Sequence, residues 1–177
     1  MVDNMNGTQV LVIGYNSEHC TEYAYKMAYE VGEEVALQGA VLITGGLGGV
    51  MEAASKGAKS RRGIVVGIIP QHEKRYANPY CDVVISTGLG ESRNFVTAYS
   101  GDAVIVVGGG IGTAIEASVA YRKGKPIVAI KGSGGTADKI GGQYLDDRRI
   151  VKVMEEENPH AAVEKALRAL TNLSPNE

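Results

Sequence analysis

Short apolar runs ending at or near glycine recur along this chain. They are separated by stretches in which apolar residues return every three or four positions. The runs at 9–14 (QVLVIG), 40–46 (AVLITGG), 63–69 (GIVVGII), 82–86 (DVVIS), 102–110 (DAVIVVGGG) and 126–130 (PIVAI) are rich in Val and Ile and show no apolar-polar alternation. Such runs fit strands buried on both faces of a sheet. Between the first two, Ala24, Met27, Ala28, Val31 and Val35 mark one face of a helix that Gly39 closes. Similar spacing predicts helices over about 48–61, 91–100, 113–122 and 159–170; Asn158 can cap the last, and Pro159 suits its first position. A long loop at 132–142, with room for a short helix, leads to a final strand expected at 150–153.

Strands alternating with helices predict an α/β fold of three layers: a mostly parallel Rossmann-like sheet of six or seven strands with helices on both faces. The 177 residues are enough for one such domain, spanning 1–177, with no metal or disulfide needed to hold it. In these sheets ligands bind beyond the carboxyl ends of the strands. Glycine gathers there: GYN follows the first strand, GGLGG the second, GLGE the fourth and GGGIG the fifth. There are 24 glycines, where an average usage of about 7% would give about half that number.

Two standard nucleotide motifs are missing. A dinucleotide site needs G-x-G-x-x-G after the first strand and an acidic residue ending the second, but the chain reads GYNS and ends its second strand at Thr44. Nor is there a G-x-x-x-x-G-K-[ST] loop, since Gly124 and Lys125 follow a helix and precede Pro126. What remains are two strand-turn-helix units, VLITGGLGGVMEAASKGA and VIVVGGGIGTAIEASVA. Each places bare backbone at a helix start, where unpaired N–H groups and the helix dipole favour an anion such as phosphate. Gly14 and Asn16 of the first turn, Gly45, Gly46, Gly48 and Gly49 of the second, and Gly108, Gly109, Gly110 and Gly112 of the third are the candidate cradle. The same glycines also serve sharp turning and close packing. Thr113 and Glu116 fit two roles as well, a capping box at the helix start or a hydroxyl and carboxylate facing a sugar. Arg93 offers a planar fork suited to phosphate or carboxylate.

Eighteen basic against 20 acidic residues leave a net charge of -2, which argues against nucleic acid and membrane surfaces as partners. The polar N-terminus MVDNMNGTQ lacks an apolar signal core, and no stretch approaches the ~20 apolar residues of a membrane span, so a cytoplasmic protein is expected. Cys20 and Cys81 stand alone, as small hydrophobes in a reducing compartment. His19, His72 and His160 share no ligand spacing, and no metal site is expected. Tyr76 and Tyr80, in the loop RYANPY, offer flat surface to a ligand or partner; Tyr23, Tyr25 and Tyr29 decorate the first helix as a candidate subunit contact.

The segments TGGLGGVMEAASKGA and RNFVTAYSGDAVIVVGGGIGTAIE resemble the paired signatures of the superfamily that joins Lonely-guy-type cytokinin-activating phosphoribohydrolases to molybdenum cofactor carrier proteins. In the phosphoribohydrolases the second signature reads P-G-G-x-G-T-x-x-E after an Arg-Lys pair. Gly109, Gly110, Gly112, Thr113, Glu116 and Arg93 fall on it. The resemblance implies a loop that holds a phosphate, with Arg93 and Glu116 in the catalytic positions of an enzyme that releases the base from a nucleoside 5′-monophosphate. Two positions depart from the pattern: its proline is Gly108 here, and its lysine is Asn94, which then joins the ligand-binding set as a neutral residue. The GGG start, with ANPYCDVVISTGLGESRN and GSGGTADKIGGQYLDDR, looks more like the carrier-related subfamily, whose ligand is a phosphorylated pterin. The expectation is therefore a binding protein for a nucleotide monophosphate or molybdopterin-type cofactor, with no cofactor required for folding; the alternative is a phosphoribohydrolase. The lysine decarboxylase label carried by some members of the superfamily finds no support in this sequence. The relatives also imply a homodimer or homotetramer.

Overall fold

A computed structural model describes residues 7–173. Most of the polar N-terminal stretch, residues 1–6, lies outside the described residues, as do 174–177. The elements are β1 (Gln9–Gly14), α1 (Glu22–Leu37), β2 (Val41–Thr44), α2 (Val50–Ser60), β3 (Val65–Ile69), β4 (Val83–Ser86), α3 (Arg93–Ser100), β5 (Ala103–Val107), α4 (Ile111–Arg122), β6 (Ile127–Ile130), α5 (Gly135–Ile140), β7 (Met154–Glu156) and α6 (Pro159–Leu173). The seven strands form one parallel sheet in the order β4-β3-β2-β1-β5-β6-β7.

Alternate residues of each central strand enter opposite cores. Val10 and Val12 of β1, with Ile105 and Val107 of β5, pack under α1, α2 and α6; Leu11 and Ile13, with Val104 and Val106, pack under α4 and α5. Both sides of β1 and β5 are thus sealed, which is why their sequences are apolar without alternation. The edge strand β4 departs from that expectation, since Val83 and Ile85 are half exposed. The final strand also shifts from 150–153 to Met154–Glu156. Val153 is bonded instead to the turn after α5, its N–H donating to Gln143 and its carbonyl accepting from Gly142, so pairing with β6 begins at Met154.

On the first face α6 is tied to α1 by His160, whose Nδ1 lies 2.7 Å from the buried Glu34 carboxylate. On the other, Lys125 donates to the carbonyls of Ala98, Tyr99 and Gly101 and satisfies the C-terminal end of α3.

Helix α2 carries the GGLGG turn, and its seat on α1 depends on two glycines. A Cβ on Gly32 would fall 2.0 Å from the carbonyl oxygen of Ala54, and one on Gly57 would fall 1.9 Å from that of Tyr29. Alanine is favoured over glycine in a helix by about 1 kcal/mol. Here Gly32→Ala and Gly57→Ala should each destabilise the protein despite that preference, by about 1–3 kcal/mol for overpacking, read as a lower midpoint in urea unfolding.

Candidate functional site

The direction of chain winding reverses at β1, whose neighbours are β2 and β5. A crevice opens beyond the carboxyl ends of β1 and β5 at such a reversal. Gly14 and Val107, the last residues of the two strands, are register partners there. A cleft of about 470 Å³ occupies the crevice. Of the residues expected at the site, Gly14, Asn16, Gly45, Arg93, Asn94, Gly110, Gly112, Thr113 and Glu116 line it. Gly46, Gly48, Gly49, Gly108 and Gly109 stand behind its wall. Gly46 backs onto Ile69 and Gly67, Gly48 onto Ser17, Gly49 onto the Tyr15–Asn16 backbone, Gly108 onto the Tyr15 ring and Gly109 onto Thr113.

Helices α2 and α4 begin at the two glycine turns, with Gly49 and Gly110 in the cap positions and no side-chain cap on either. By contrast, α1 is capped by the Thr21 hydroxyl, and Asn158 Oδ1 accepts from Ala161 N–H in the first turn of α6. The first backbone bond of α4 runs from Ala114 N–H to Gly110 at 3.1 Å, so the N–H groups of Ile111, Gly112 and Thr113 have no intrahelical acceptor.

The Thr113-Glu116 capping box is overturned. Because Gly110 takes the cap, α4 begins two residues before the expected start, and Thr113 already lies inside the helix. Its hydroxyl donates to the carbonyl of Gly14 at 3.1 Å, which fastens α4 to the end of β1. Glu116, 7% exposed, turns to α3 instead. Its Oε1 accepts from the Thr97 hydroxyl at 2.6 Å and stands 3.5 Å from Nη1 of Arg93. Arg93 and Thr97 are one turn apart on α3 and so face the same carboxylate.

Burial decides the protonation of this group. It pushes the Glu116 carboxyl up to about 6, although the Thr97 hydrogen bond and the Arg93 charge pull it down. Burial likewise lowers Arg93, against the support of Glu116. The Arg93 side chain is only 10% exposed, and its Nε has no hydrogen-bond partner among the described residues. Gly45 makes room for it, since a Cβ there would fall 2.6 Å from Nη1.

The GGLGG turn is held from outside by Asn78, whose N–H donates to Gly46 at 2.8 Å and whose Nδ2 donates to Leu47 at 3.0 Å. Within RYANPY it is thus Asn78 that touches the site's frame. Tyr76 is exposed beneath the Arg75 guanidinium, and neither it nor Tyr80 lines the cleft. Lining residues not anticipated from the sequence include Tyr15, Leu47, Met51 and Ile111, with His19 at the rim. Tyr15 carried a legible signal, an aromatic residue between Gly14 and Asn16 at a strand end; Thr97, buried behind the cleft, carried none.

Burial pushes the Cys81 thiol up to about 11 and also raises Cys20, which keeps both as thiols. Among the described residues no group of three or more His, Cys, Asp or Glu could hold a metal, and no helix is long and apolar enough to cross a membrane. Tyr25 and Tyr29 of α1 pack partly against the core, while Tyr23 is 47% exposed. Phe95 and Tyr99 of α3 and Ile111 of α4 are more exposed than Tyr23, and Ile115 of α4 is also exposed.

Against known proteins, the pattern of the SLOG cluster4 family matches residues 7–163. The chain belongs to that family. An uncharacterized protein of Archaeoglobus fulgidus is 48% identical over 123 residues, 70% of this chain and 80% of its own. Among solved structures, the structural-genomics target TM1055 superposes with a TM-score of 0.82 at 36% identity, over 94% of this chain and 99% of its own. The molybdenum cofactor binding protein of Rippkaea orientalis follows with a TM-score of 0.80 at 30% identity, over 96% and 98%. The molybdenum cofactor carrier protein of Chlamydomonas reinhardtii gives a TM-score of 0.78 at 30% identity, over 93% and 98%. The expected Rossmann-like fold and the resemblance to the carrier-like branch both hold.

The raised Glu116 carboxyl has a measurable consequence for this SLOG cluster4 member. Its folded-state value of about 6 exceeds the ordinary 4.5, so the folded protein takes up the proton more readily than the unfolded chain. The cost of burying the charge is absent below the unfolded value and grows until the pH passes the folded one. Replacing Glu116 by Gln removes this titration. The unfolding free energy of the unmodified protein, relative to Glu116→Gln, should fall by about 2 kcal/mol from about pH 4 to about pH 7. Urea unfolding across that range measures it.

Proposed function

We propose that this chain binds a small phosphorylated molecule, a nucleotide monophosphate or molybdopterin-type cofactor, in the cleft between its two glycine turns. The observation that carries this reading is Arg93. A guanidinium buried to nine-tenths, with an unpartnered Nε and one carboxylate 3.5 Å away, is under-satisfied where it stands. It faces the same cleft as the uncapped start of α4. A phosphate seated there would accept from the free N–H groups of Ile111, Gly112 and Thr113 and would meet the Arg93 charge. The similarity to proteins described as binding or carrying the molybdenum cofactor supports a carrier role. Among the described residues Arg93 is the only Lys or Arg lining this cleft, a lining suited to one phosphate group rather than a polyphosphate. On this reading the protein works in the cytoplasm.

Glu116 favours a second reading. A carboxylate beside the phosphate seat could face the anomeric carbon of a bound nucleotide and stabilise positive charge as the N-glycosidic bond to the base breaks, with water adding to the sugar. Incubation with AMP separates the two. Binding without products supports carriage, whereas release of adenine and ribose 5-phosphate that disappears in Glu116→Gln establishes hydrolysis.

For binding itself, calorimetric titration with AMP and with a phosphorylated pterin should show saturable uptake of at least one. Arg93→Met should weaken it about 10- to 100-fold, as expected for a lost charge-assisted hydrogen bond. No uptake of either probe would remove the phosphate reading.

We also propose that copies of the chain pair through the α3–α4 face. Phe95 and Tyr99, 50% and 55% exposed, lie one turn apart on α3, and Ile111, 82% exposed, stands at the cleft rim. Light scattering should report a dimer or tetramer that Phe95→Glu shifts to smaller species.

A further inference from the structure

The loop of Gly108, Gly109 and Gly110 is shaped by a segment that follows the next strand. Each of its three carbonyls accepts from that segment: Gly108 from Ala137 N–H at 3.0 Å, Gly109 from Thr136 N–H at 2.8 Å, and Gly110 from the Thr136 hydroxyl at 2.8 Å. The Ser133 hydroxyl, in a residue 3% exposed, accepts from the Gly108 N–H at 2.8 Å and donates to the Ile130 carbonyl. Asp138 closes the turn by accepting from Gly132 N–H at 2.7 Å and Gly134 N–H at 3.1 Å. Tyr15 fills the space between, its ring against Gly108 and its hydroxyl against Gly135.

The geometry of the peptide unit gives this clamp a direction. In a planar trans peptide the carbonyl and the following N–H point opposite ways. Three carbonyls drawn toward the 133–137 segment therefore turn the N–H groups of Gly109, Gly110 and Ile111 away from it. Gly110 and Ile111 are at the cleft.

We infer that the 133–138 turn presets the entrance to the phosphate seat, aiming the Ile111 amide that receives the phosphate together with that of Gly110 beside it, with Ser133 and Thr136 as positioning residues. This rests on the phosphate reading of the cleft and assigns a role to the long loop after β6. It also accounts for Gly108 at a point where the phosphoribohydrolase motif has proline. Gly108 sits at φ +58° and gives its N–H to Ser133. Proline has no N–H, and its φ is locked near about −65°. The shape of the loop is held from outside, by the turn that follows β6.

The test compares Thr136→Val, which keeps the shape and loses the hydroxyl, with Thr136→Ser, which restores it, and with Ser133→Ala. Tyr121→Phe is the control, losing bonds to Asp146 and Ile150 elsewhere in the fold. In the full-length ¹⁵N-labelled protein, backbone order parameters at Gly109, Gly110 and Ile111 should be near the rigid value of about 0.85 and should fall toward about 0.6 in Thr136→Val and Ser133→Ala. Affinity for AMP and for inorganic phosphate should drop about 3- to 10-fold in those two variants, the free-energy scale of a single hydrogen bond. Thr136→Ser should recover both readouts, and Tyr121→Phe should move neither. Loop amides already mobile in the unmodified protein would overturn the inference, as would variants with unchanged order or with lost order but unchanged affinity. An ordered loop that binds neither probe would instead reject the phosphate reading, and the order parameters of the variants alone would then decide whether the clamp exists.

Discussion

The pairing of β1 with both β2 and β5 is the constraint on which the rest of this molecule depends. Right-handed crossovers that begin at a central strand and run outward in both directions must place their helices on opposite faces of the sheet. The chain obeys this: α1 and α2 lie on one side, α3 and α4 on the other. The two helices that start at the glycine turns therefore straddle the same two strand ends. Neither start is closed by a side chain. The cleft follows from sheet order before any polar residue is considered, and side chains only decide what it prefers.

What it prefers turns on a pair that is close to balance. Arg93 and Glu116 are both deeply buried, yet their closest approach is 3.5 Å, longer than a strong charge-assisted hydrogen bond. The Thr97 hydroxyl claims the same carboxylate oxygen at 2.6 Å. Glu116 is thereby anchored by a neutral partner, and the guanidinium is left with attraction but little hydrogen bonding. On the proposed reading, that division leaves the guanidinium available to a ligand. The carboxylate offsets the arginine's charge without occupying its donors at hydrogen-bond distance.

Much of the fold could be read from the chain because strands sealed on both faces need apolar residues at every position, and that pattern is hard to mistake. The edge was harder. VVIS of β4 reads like a buried strand, although Val83 and Ile85 are half exposed. The final strand moved because backbone bonds around Val153, invisible in its side chain, committed that residue to another turn. At the site, Gly14 and Gly45 were legible as glycines at strand ends, and Arg93 and Glu116 as charged residues in the helices beside them. The partners of Thr113 and Glu116 were not, since T-x-x-E has the same local appearance whether it caps a helix or bonds elsewhere. In this protein the acceptor for Thr113 lies 99 residues away in sequence, and the donor to Glu116 lies 19 away.

The tie between Gly108 and Ser133 bears on how such a loop can change over generations. Proline at 108 would forfeit the N–H that Ser133 receives and would clash with the φ that the downstream turn imposes. Loss of Ser133 alone would leave a buried N–H without its acceptor, at a cost of about 1–3 kcal/mol. Each single step passes through a less stable protein, whichever is taken first. The backbone at 108 and the turn at 133 therefore constrain each other through one hydrogen bond, and neither position is free to change alone.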